Sequence, residues 1–155
     1  MRLYLLRHAD AATPADSDEE RALSVKGLNQ AKRVAEFLEA HEIRPALILS
    51  SPVLRAFETA RIVAEALEIE CESAPFLSCG MMPSTAMTAL AKYDEHESLM
   101  LVGHEPDFSR FAAHLLGTSP AASLRIRKAS LTLLELDVLR PGIARLHFSI
   151  PCKMM

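Results

Sequence analysis

The chain has 155 residues, of which 50% are apolar and 24% charged, so it is long enough for one compact domain and too short for two. Its formal net charge of −3 argues against general nucleic-acid affinity, which depends on clustered lysine and arginine. We therefore expect a single domain over residues 1–155, no nucleic-acid partner, and at most a local positive pocket.

The cysteines and the first residues bear on cellular location. Cys71, Cys79 and Cys152 are an odd number with no CxxC pair, which favours free thiols in a reducing compartment. The apolar run at the start is short and is interrupted by Arg7 and His8, unlike a signal peptide. No apolar run approaches the roughly 20 residues that span a bilayer. The sequence therefore predicts a cytoplasmic protein with no membrane partner.

Apolar spacing divides the chain into alternating strands and helices. The predicted strands are 2–6, 46–49, 69–71, 98–102, 129–136 and 143–148. The predicted helices are 25–41, 51–67, 84–93 and 106–116, with loops over 11–20 and 74–83. Ser24 is the predicted N-cap of the first helix and Ser51, followed by Pro52, that of the second. This order favours a three-layer α/β/α sandwich, with a mostly parallel sheet, helices on both faces and a final antiparallel hairpin.

Three of the predicted strands end in polar residues. The first is followed by Arg7-His8, the second by Ser51-Pro52 with Arg55 in the next helical turn, and the third by Gly103-His104. Ligands of open α/β sheets bind outside the carboxyl ends of the strands. We therefore expect two arginines and two histidines to converge there from distant parts of the sequence.

These four side chains suit a phosphoryl group. An arginine guanidinium pairs bidentately with phosphate oxygens, and helix N-termini add backbone donors. One histidine can act as a nucleophile when an acceptor fixes its other ring nitrogen, and a second can stabilise the equatorial oxygens. No phosphate-binding loop of the GxxxxGK[ST] or GxGxxG type is present.

Several motifs resemble those of the histidine phosphatase superfamily. The general ones are Arg7-His8, Leu23-Ser24-x-x-Gly27, Ser51-Pro52-x-x-Arg55-Ala56-x-x-Thr59-Ala60 and Val102-Gly103-His104. Others resemble the short SixA-type phosphohistidine phosphatases of that superfamily, namely Arg7-His8-x-Asp10-Ala11, Arg21-x-Leu23-Ser24, Ser51-Pro52-x-Leu54-Arg55-Ala56 and Pro151-Cys152. An Arg-His pair alone is weak evidence, but the ordered set at strand ends is specific and covers nearly the whole chain.

The resemblance implies a phosphoglycerate mutase-like fold and a phosphatase reaction. It implies that His8 forms a phosphohistidine intermediate, while Arg7, Arg55 and His104 bind and stabilise the phosphoryl group. Phosphate or sulfate is then an expected ligand, and no metal or cofactor is expected, because these side chains neutralise the charge. Arg21 is either an accessory phosphate contact or a solvated loop arginine.

One feature departs from the family's usual pattern, and a second departs from that of its larger members. Ala9 stands where a glycine is usual, and we expect its methyl group to tune the pocket. No general acid is evident, since spacing marks none of four candidates: Asp10, Asp18, Glu58 and Glu105. A protonated phosphoimidazole leaves as neutral imidazole, whereas an alkoxide needs a well-placed acid. This difference, with the lack of a long lid-forming insertion, favours a phosphohistidine-bearing protein such as a phosphotransfer domain or a phosphotransferase-system carrier.

Two other functions stay open at this point. A small-molecule phosphatase acting on sugar or nucleotide phosphates would need an acid near the pocket. A non-catalytic module that binds a phosphorylated ligand would be consistent with Ala9 and with the missing acid. The acidic residues over 16–20 are interpreted as a solvated loop, with screening of substrates as the alternative.

Overall fold

The computed structural model describes residues 1–13, 17–119 and 124–155. Its strands are β1 (Arg2–Arg7), β2 (Leu47–Ser50), β3 (Cys71–Ser73), β4 (Ser98–Gly103), β5 (Leu131–Glu135) and β6 (Arg145–Ile150). Its α-helices are α1 (Val25–Ala40), α2 (Leu54–Leu67), α3 (Pro83–Leu90) and α4 (Asp107–Leu116). Part of the predicted loop over 11–20, including Asp16, lies outside the described residues. Within the described ranges, no helix combines the length and apolar character needed to cross a membrane.

The six strands form one sheet in the order β3-β2-β4-β1-β5-β6. The first four strands in this order are parallel to one another, whereas β5 is antiparallel to β1 and β6 is antiparallel to β5. The predicted mostly parallel sheet and final hairpin are therefore confirmed. The carboxyl ends of β1, β2 and β4 lie at the same edge, since Arg7 pairs with Gly103 and Ser50 with Val102.

Alternate residues of the central strands face two separate apolar cores. Leu6, Ile48 and Met100 lie on the face covered by α1 and α2. Leu5 and Leu101 lie on the other face, with residues of α3 and α4. Every residue of β4 is buried, as expected for a central strand covered on both faces. These two layers of helices on one sheet confirm the predicted three-layer sandwich.

The N-cap of α2 lies two residues later in the chain than predicted. Ser51 was expected to cap this helix, but the N-cap is Val53. The Ser51 N–H instead donates to the carbonyl of Val102 at 2.9 Å, so Ser51 still extends the ladder between β2 and β4. Its hydroxyl accepts from the Val53 N–H at 3.2 Å. Pairing with β4 therefore delays the helix and leaves the Ser51 side chain at the sheet edge.

Other predicted boundaries shift by a few residues for local reasons. Strand β3 begins at Cys71 because Glu68 takes a left-handed conformation and the Ile69 N–H still caps α2 through the Ala64 carbonyl. Strand β5 begins two residues late because Ala129 takes a left-handed conformation, with φ of 53°, and donates its N–H to the carbonyls of Arg7 and His8 at the end of β1. The predicted helix 84–93 divides into α3 and a 3₁₀ turn over Ala91–Tyr93.

Candidate active site

The structure brings the predicted site residues together at the carboxyl edge of the sheet. Arg7 ends β1, His8 follows it, Arg55 lies in the first turn of α2 and His104 follows β4. The rings of His8 and His104 have centroids 5.2 Å apart. The Arg55 Nε–H donates to His8 Nε2 at 3.4 Å. His8, Arg55 and His104 are each less than 7% exposed, while Arg7 is partly exposed.

Hydrogen bonds assign the tautomer of His8. Nδ1 lies 2.7 Å from the carbonyl oxygen of Ala9, and a carbonyl only accepts, so Nδ1 carries the proton. Nε2 then carries no proton, and its lone pair accepts the Nε–H of Arg55. This arrangement leaves the nitrogen that faces the arginine as the nucleophilic one.

Both site histidines are held in the neutral form. Burial, assisted by the positive charges of Arg55 and Arg7, lowers the pKa of His8 to about 3, although the bond to Ala9 opposes the shift. Burial and the charge of Arg55 lower the pKa of His104 to about 4. A neutral His8 keeps its lone pair near pH 7, as a nucleophile requires.

Two buried polar atoms at this site have no partner. They are Nε of Arg7 and Nδ1 of His104, and no other buried side-chain nitrogen or oxygen of the described residues is in that state. His104 Nε2 lies 2.9 Å from the Ser51 hydroxyl, and Arg7 Nη1 donates to the Ile126 carbonyl. Buried polar groups are normally hydrogen-bonded. The two unpaired atoms therefore indicate a site that a polar ligand completes.

The outer nitrogens of Arg55 are covered by Asp18. Arg55 Nη2 donates to the Asp18 carboxylate at 3.0 Å, and Nη1 donates to the Asp18 carbonyl. The Asp18 side chain is 64% exposed and also pairs with Arg21. Arg21 donates further to the carbonyls of Ala11 and Ala12, so its nitrogens hold this loop together. The acidic loop predicted to be solvated thus contacts Arg55, one of the arginines predicted to bind phosphate, directly.

Ala9 fits the turn after β1 without backbone strain. Its φ is not in the left-handed region, and its methyl group packs in the core on the α1–α2 side. The Ala9 N–H donates to Thr59 Oγ1 at 3.1 Å, and Thr59 Oγ1 donates to the carbonyl of Arg55. Thr59 therefore ties the loop that carries His8 to the helix that carries Arg55.

Asp10 is committed to a structural network. Its carboxylate accepts from the Ser24 hydroxyl at 2.8 Å and from Lys128 Nζ at 2.7 Å, and these bonds lower its pKa. Ser24 is also the N-cap of α1, as predicted. A Cβ at Gly27 would lie only 1.9 Å from the Asp10 carbonyl oxygen. The Leu-Ser-x-x-Gly motif thus lets the first turn of α1 contact the loop after His8.

The other three candidate acids have distinct surroundings. Glu58 accepts the Leu23 N–H at 2.6 Å and supports the loop before α1. The pKa of the Asp18 carboxyl is lowered by the hydrogen bond from Arg21 and by the charge of Arg55. Burial raises the pKa of Glu105, whose carboxylate accepts from Ser109. Glu105 is thus the candidate whose surroundings favour the protonated acid.

Sequence reasoning did not include in the site several residues that shape it. Ser51 and Thr59 lie inside a motif that was noted, so their position next to Arg55 was the available signal. Lys128 carries no such signal, because its partner Asp10 is 118 residues away. Among the described residues, no group of three or more His, Cys, Asp or Glu side chains is arranged to hold a metal ion.

Comparisons with known proteins agree with this geometry. The model of the histidine phosphatase superfamily, branch 1, matches residues 3–78. Phosphohistidine phosphatase SixA of Escherichia coli is 30% identical over 140 residues, with 87% of each chain covered. A structure of SixA with tungstate has a TM-score of 0.88 at 23% identity, covering 99% of this chain and 98% of the other.

A small-molecule enzyme shares the same fold. The α-ribazole phosphatase of Shigella flexneri has a TM-score of 0.81 at 16% identity and covers 98% of this chain and 97% of its own. At this identity the likeness concerns the fold alone. The motifs, the arrangement of strand ends and the relative that is 30% identical along most of its length together place this chain in the histidine phosphatase superfamily.

Proposed function

We propose that this protein removes the phosphoryl group from a phosphohistidine on another protein, through a covalent intermediate on His8. Membership of the superfamily supports phosphatase activity in general. The observation that carries the proposal is the state of His8. It is a buried neutral imidazole whose Nδ1–H donates to the Ala9 carbonyl and whose Nε2 carries no proton. The unpaired nitrogens of Arg7 and His104 beside it support an anionic ligand.

The first step transfers the phosphoryl group to His8. His8 Nε2 attacks phosphorus, a new N–P bond forms, and the bond to the imidazole of the substrate breaks. The substrate ring carries a proton on its other nitrogen and leaves as neutral imidazole. Arg7, Arg55 and His104 stabilise the three equatorial oxygens, on which charge is spread in this transition state.

The second step releases phosphate. The Nδ1–H of His8 donates to the Ala9 carbonyl, so His8 keeps this proton and phospho-His8 is a phosphoimidazolium. Its ring leaves as neutral imidazole, which is a better leaving group than the imidazolate that a ring without this proton would give. Water attacks phosphorus, the N–P bond breaks, and Nε2 recovers its lone pair. Both protons of the water leave with dihydrogen phosphate, which then equilibrates with the solvent. No external acid is consumed in either step.

Phosphohistidine suits this site because its leaving group needs no acid. Asp10 and Glu58 are both engaged in structural hydrogen bonds, and the lowered pKa of Asp18 makes it a poor proton donor. An alkoxide leaving group would need such a donor. We propose a histidine-containing phosphotransfer domain or a phosphotransferase-system carrier as substrate. The free thiols Cys71, Cys79 and Cys152 support a reducing, cytoplasmic location.

The test is dephosphorylation of a phosphotransfer domain, phosphorylated on histidine with phosphoramidate, in the presence of EDTA. Wild type should release phosphate, and the quenched enzyme should carry a covalently bound phosphoryl group that is stable in alkali and labile in acid. His8→Ala should lose at least about a thousandfold in rate and carry no bound phosphoryl group. His41→Ala, which changes an exposed histidine just after α1, is the matched control. Equal rates for wild type and His8→Ala would refute the mechanism.

Small-molecule phosphomonoesters are the second candidate, favoured by Glu105. This carboxyl follows His104 directly, and burial raises its pKa, as a general acid for an alkoxide requires. Faster turnover of alkyl phosphates than of phosphohistidine, with a tenfold or greater loss in Glu105→Gln, would favour this reading. Binding of phosphate without turnover of either substrate would instead indicate a non-catalytic module.

A further inference from the structure

A groove of about 520 Å³ lies between α1 and the carboxyl-terminal 3₁₀ turn Cys152–Met154. Three of its seven lining side chains are cationic, and none of the seven is acidic; they are Val25, Lys26, Asn29, Gln30, Arg33, Cys152 and Lys153. We call this surface the basic groove. Lys26, Arg33 and Lys153 are all exposed, and so is Val25, at 77%. The groove thus combines an apolar patch with positive charge on a chain of net charge −3.

The basic groove is joined to the loop that carries His8. Gln30, which lines the groove, accepts the Asp10 N–H at 2.9 Å through its side-chain oxygen. Asp10 follows His8 by two residues, and its carboxylate is paired with the charge of Lys128 and accepts a hydrogen bond from Ser24. A macromolecule seated in the groove would therefore contact a side chain that holds the backbone two residues from His8.

Further positive charge lies along residues 124–129, which contact the loop that carries His8. Arg125 is exposed and Lys128 is partly exposed. Ala129, at the end of this segment, donates its N–H to the carbonyls of Arg7 and His8 at 3.1 and 3.2 Å. The cationic residues of this segment thus flank the same loop as the basic groove.

The loop over 17–20 gives the site a second border, of opposite charge. Asp18 covers Arg55, and the Glu19 carbonyl accepts the N–H of Leu54 at the start of α2. The side chains of Asp18, Glu19 and Glu20 are exposed. The site is therefore bordered by a basic surface and an acidic one, and this asymmetry favours one orientation of a charged partner.

We propose that the basic groove binds an acidic surface of the phosphohistidine-bearing protein and so positions its phosphoryl group over His8. This inference rests on the proposed function. A docking surface of this kind raises the rate of productive encounter, because complementary charge steers association by one to three orders of magnitude at low salt. It leaves the chemistry at His8 unchanged, so only substrates large enough to reach the groove benefit from it.

The test compares substrates of different size on Lys26→Glu/Arg33→Glu. With an acidic phosphotransfer domain phosphorylated on histidine, kcat/KM at low salt should fall at least tenfold relative to wild type. With free phosphohistidine and with p-nitrophenyl phosphate, it should change less than twofold. The wild-type rate on the phosphoprotein should also fall steeply with ionic strength, and the variant should show a flatter dependence.

The matched control is Lys92→Glu/Arg140→Glu, which makes the same change of charge at exposed positions outside the groove. It should behave like wild type on all three substrates. Lys153→Glu, on the other wall of the groove, should repeat the selective loss in a smaller degree. Urea unfolding of each variant shows whether the fold is retained.

The outcomes separate the two proposals. If wild type turns over the phosphoprotein and the groove variant matches it, the docking proposal is overturned and the proposed function stands. Equal losses on large and small substrates would also overturn it, because the groove would then act on the catalytic site. If wild type acts on p-nitrophenyl phosphate but not on the phosphoprotein, the proposed function fails. If wild type binds anionic vesicles or RNA and the groove variant does not, while both turn over the phosphoprotein equally, the docking proposal is overturned and the groove binds another anion.

Discussion

At the scale of single residues, the site is defined by where protons and charges are held. The Ala9 carbonyl keeps a proton on His8 Nδ1, and burial keeps Nε2 free of one. The Asp18 carboxylate lies on the outer nitrogens of Arg55, where phosphate oxygens would otherwise find donors. Two measurements follow from these contacts.

The first concerns the pH dependence of activity. The pKa of His8 is about 3 and that of His104 about 4, so protonation removes the nucleophile only in strong acid. We expect kcat/KM for p-nitrophenyl phosphate, corrected for ionisation of the substrate, to persist from pH 7 to pH 5. A histidine of ordinary pKa, near 6.5, would lose about thirtyfold over that range. A fall in kcat/KM on acidification with its midpoint between pH 6 and 6.5 would show that burial does not set the protonation of His8.

The second concerns Asp18 as a competitor of the bound anion. Its pKa is lowered by Arg21 and Arg55, so it is ionised at neutral pH and repels a phosphate dianion at Arg55. Asp18→Asn should bind inorganic phosphate several-fold more tightly at low salt, measured by calorimetry. Glu19→Gln is the control, because it removes a charge from the same loop and keeps the contacts of Asp18 with Arg55. Weaker binding in Asp18→Asn would mean that Asp18 orients Arg55 instead of competing.

At the scale of elements, the first turn of α1 is packed directly against the loop after β1. Ser24 caps the helix and also bonds to the Asp10 carboxylate, while Gly27 leaves space for the Asp10 carbonyl. The position of His8 therefore depends on a helix that begins 17 residues later in the chain. A change in the packing of this turn should affect both stability and activity.

Gly27→Ala tests this dependence. The added Cβ would lie 1.9 Å from backbone oxygen, so the helix or the loop must move. We expect a loss of roughly 1–3 kcal/mol in the free energy of unfolding by urea, together with a lower kcat. Lys32→Ala, at an exposed position of the same helix, should stay within about 0.5 kcal/mol of wild type. Full activity in Gly27→Ala would show that the turn and His8 move independently.

At the scale of the whole molecule, burying two histidines in one site makes stability depend on pH. The unfolded chain binds protons at these residues near pH 6.5, whereas the folded chain binds them only near pH 3 and 4. The unfolded state therefore gains protons first as the pH falls, and the free energy of unfolding decreases below about pH 6.5.

The size of this effect is measurable with one substitution. Each histidine contributes a slope of up to about 1.4 kcal/mol per pH unit between pH 6 and 4.5. His8→Asn should flatten the slope by up to that amount, measured by urea unfolding in buffers without phosphate. Identical slopes for wild type and His8→Asn would mean that His8 titrates alike in both states.

The sequence by itself determined the order of strands and helices, the family, and the candidates for the phosphate pocket. Apolar periodicity is a local property, and the carboxyl ends of parallel strands share an edge, so Arg7, His8, Arg55 and His104 were placed together without coordinates. Ser51 was misread as a helix cap because its pairing with β4 depends on a strand some 50 residues away.

Only the tertiary structure decided the contacts between segments with no shared pattern. The pairing of Asp18 with Arg55 and of Asp10 with Lys128 joins residues 37 and 118 positions apart. The basic groove likewise unites α1 with the carboxyl-terminal turn. Such contacts arise when distant segments pack on the same sheet, and no local spacing of charges encodes them. That is why the side chains that converge on the candidate pocket could be predicted from the sequence, whereas its charged borders could not.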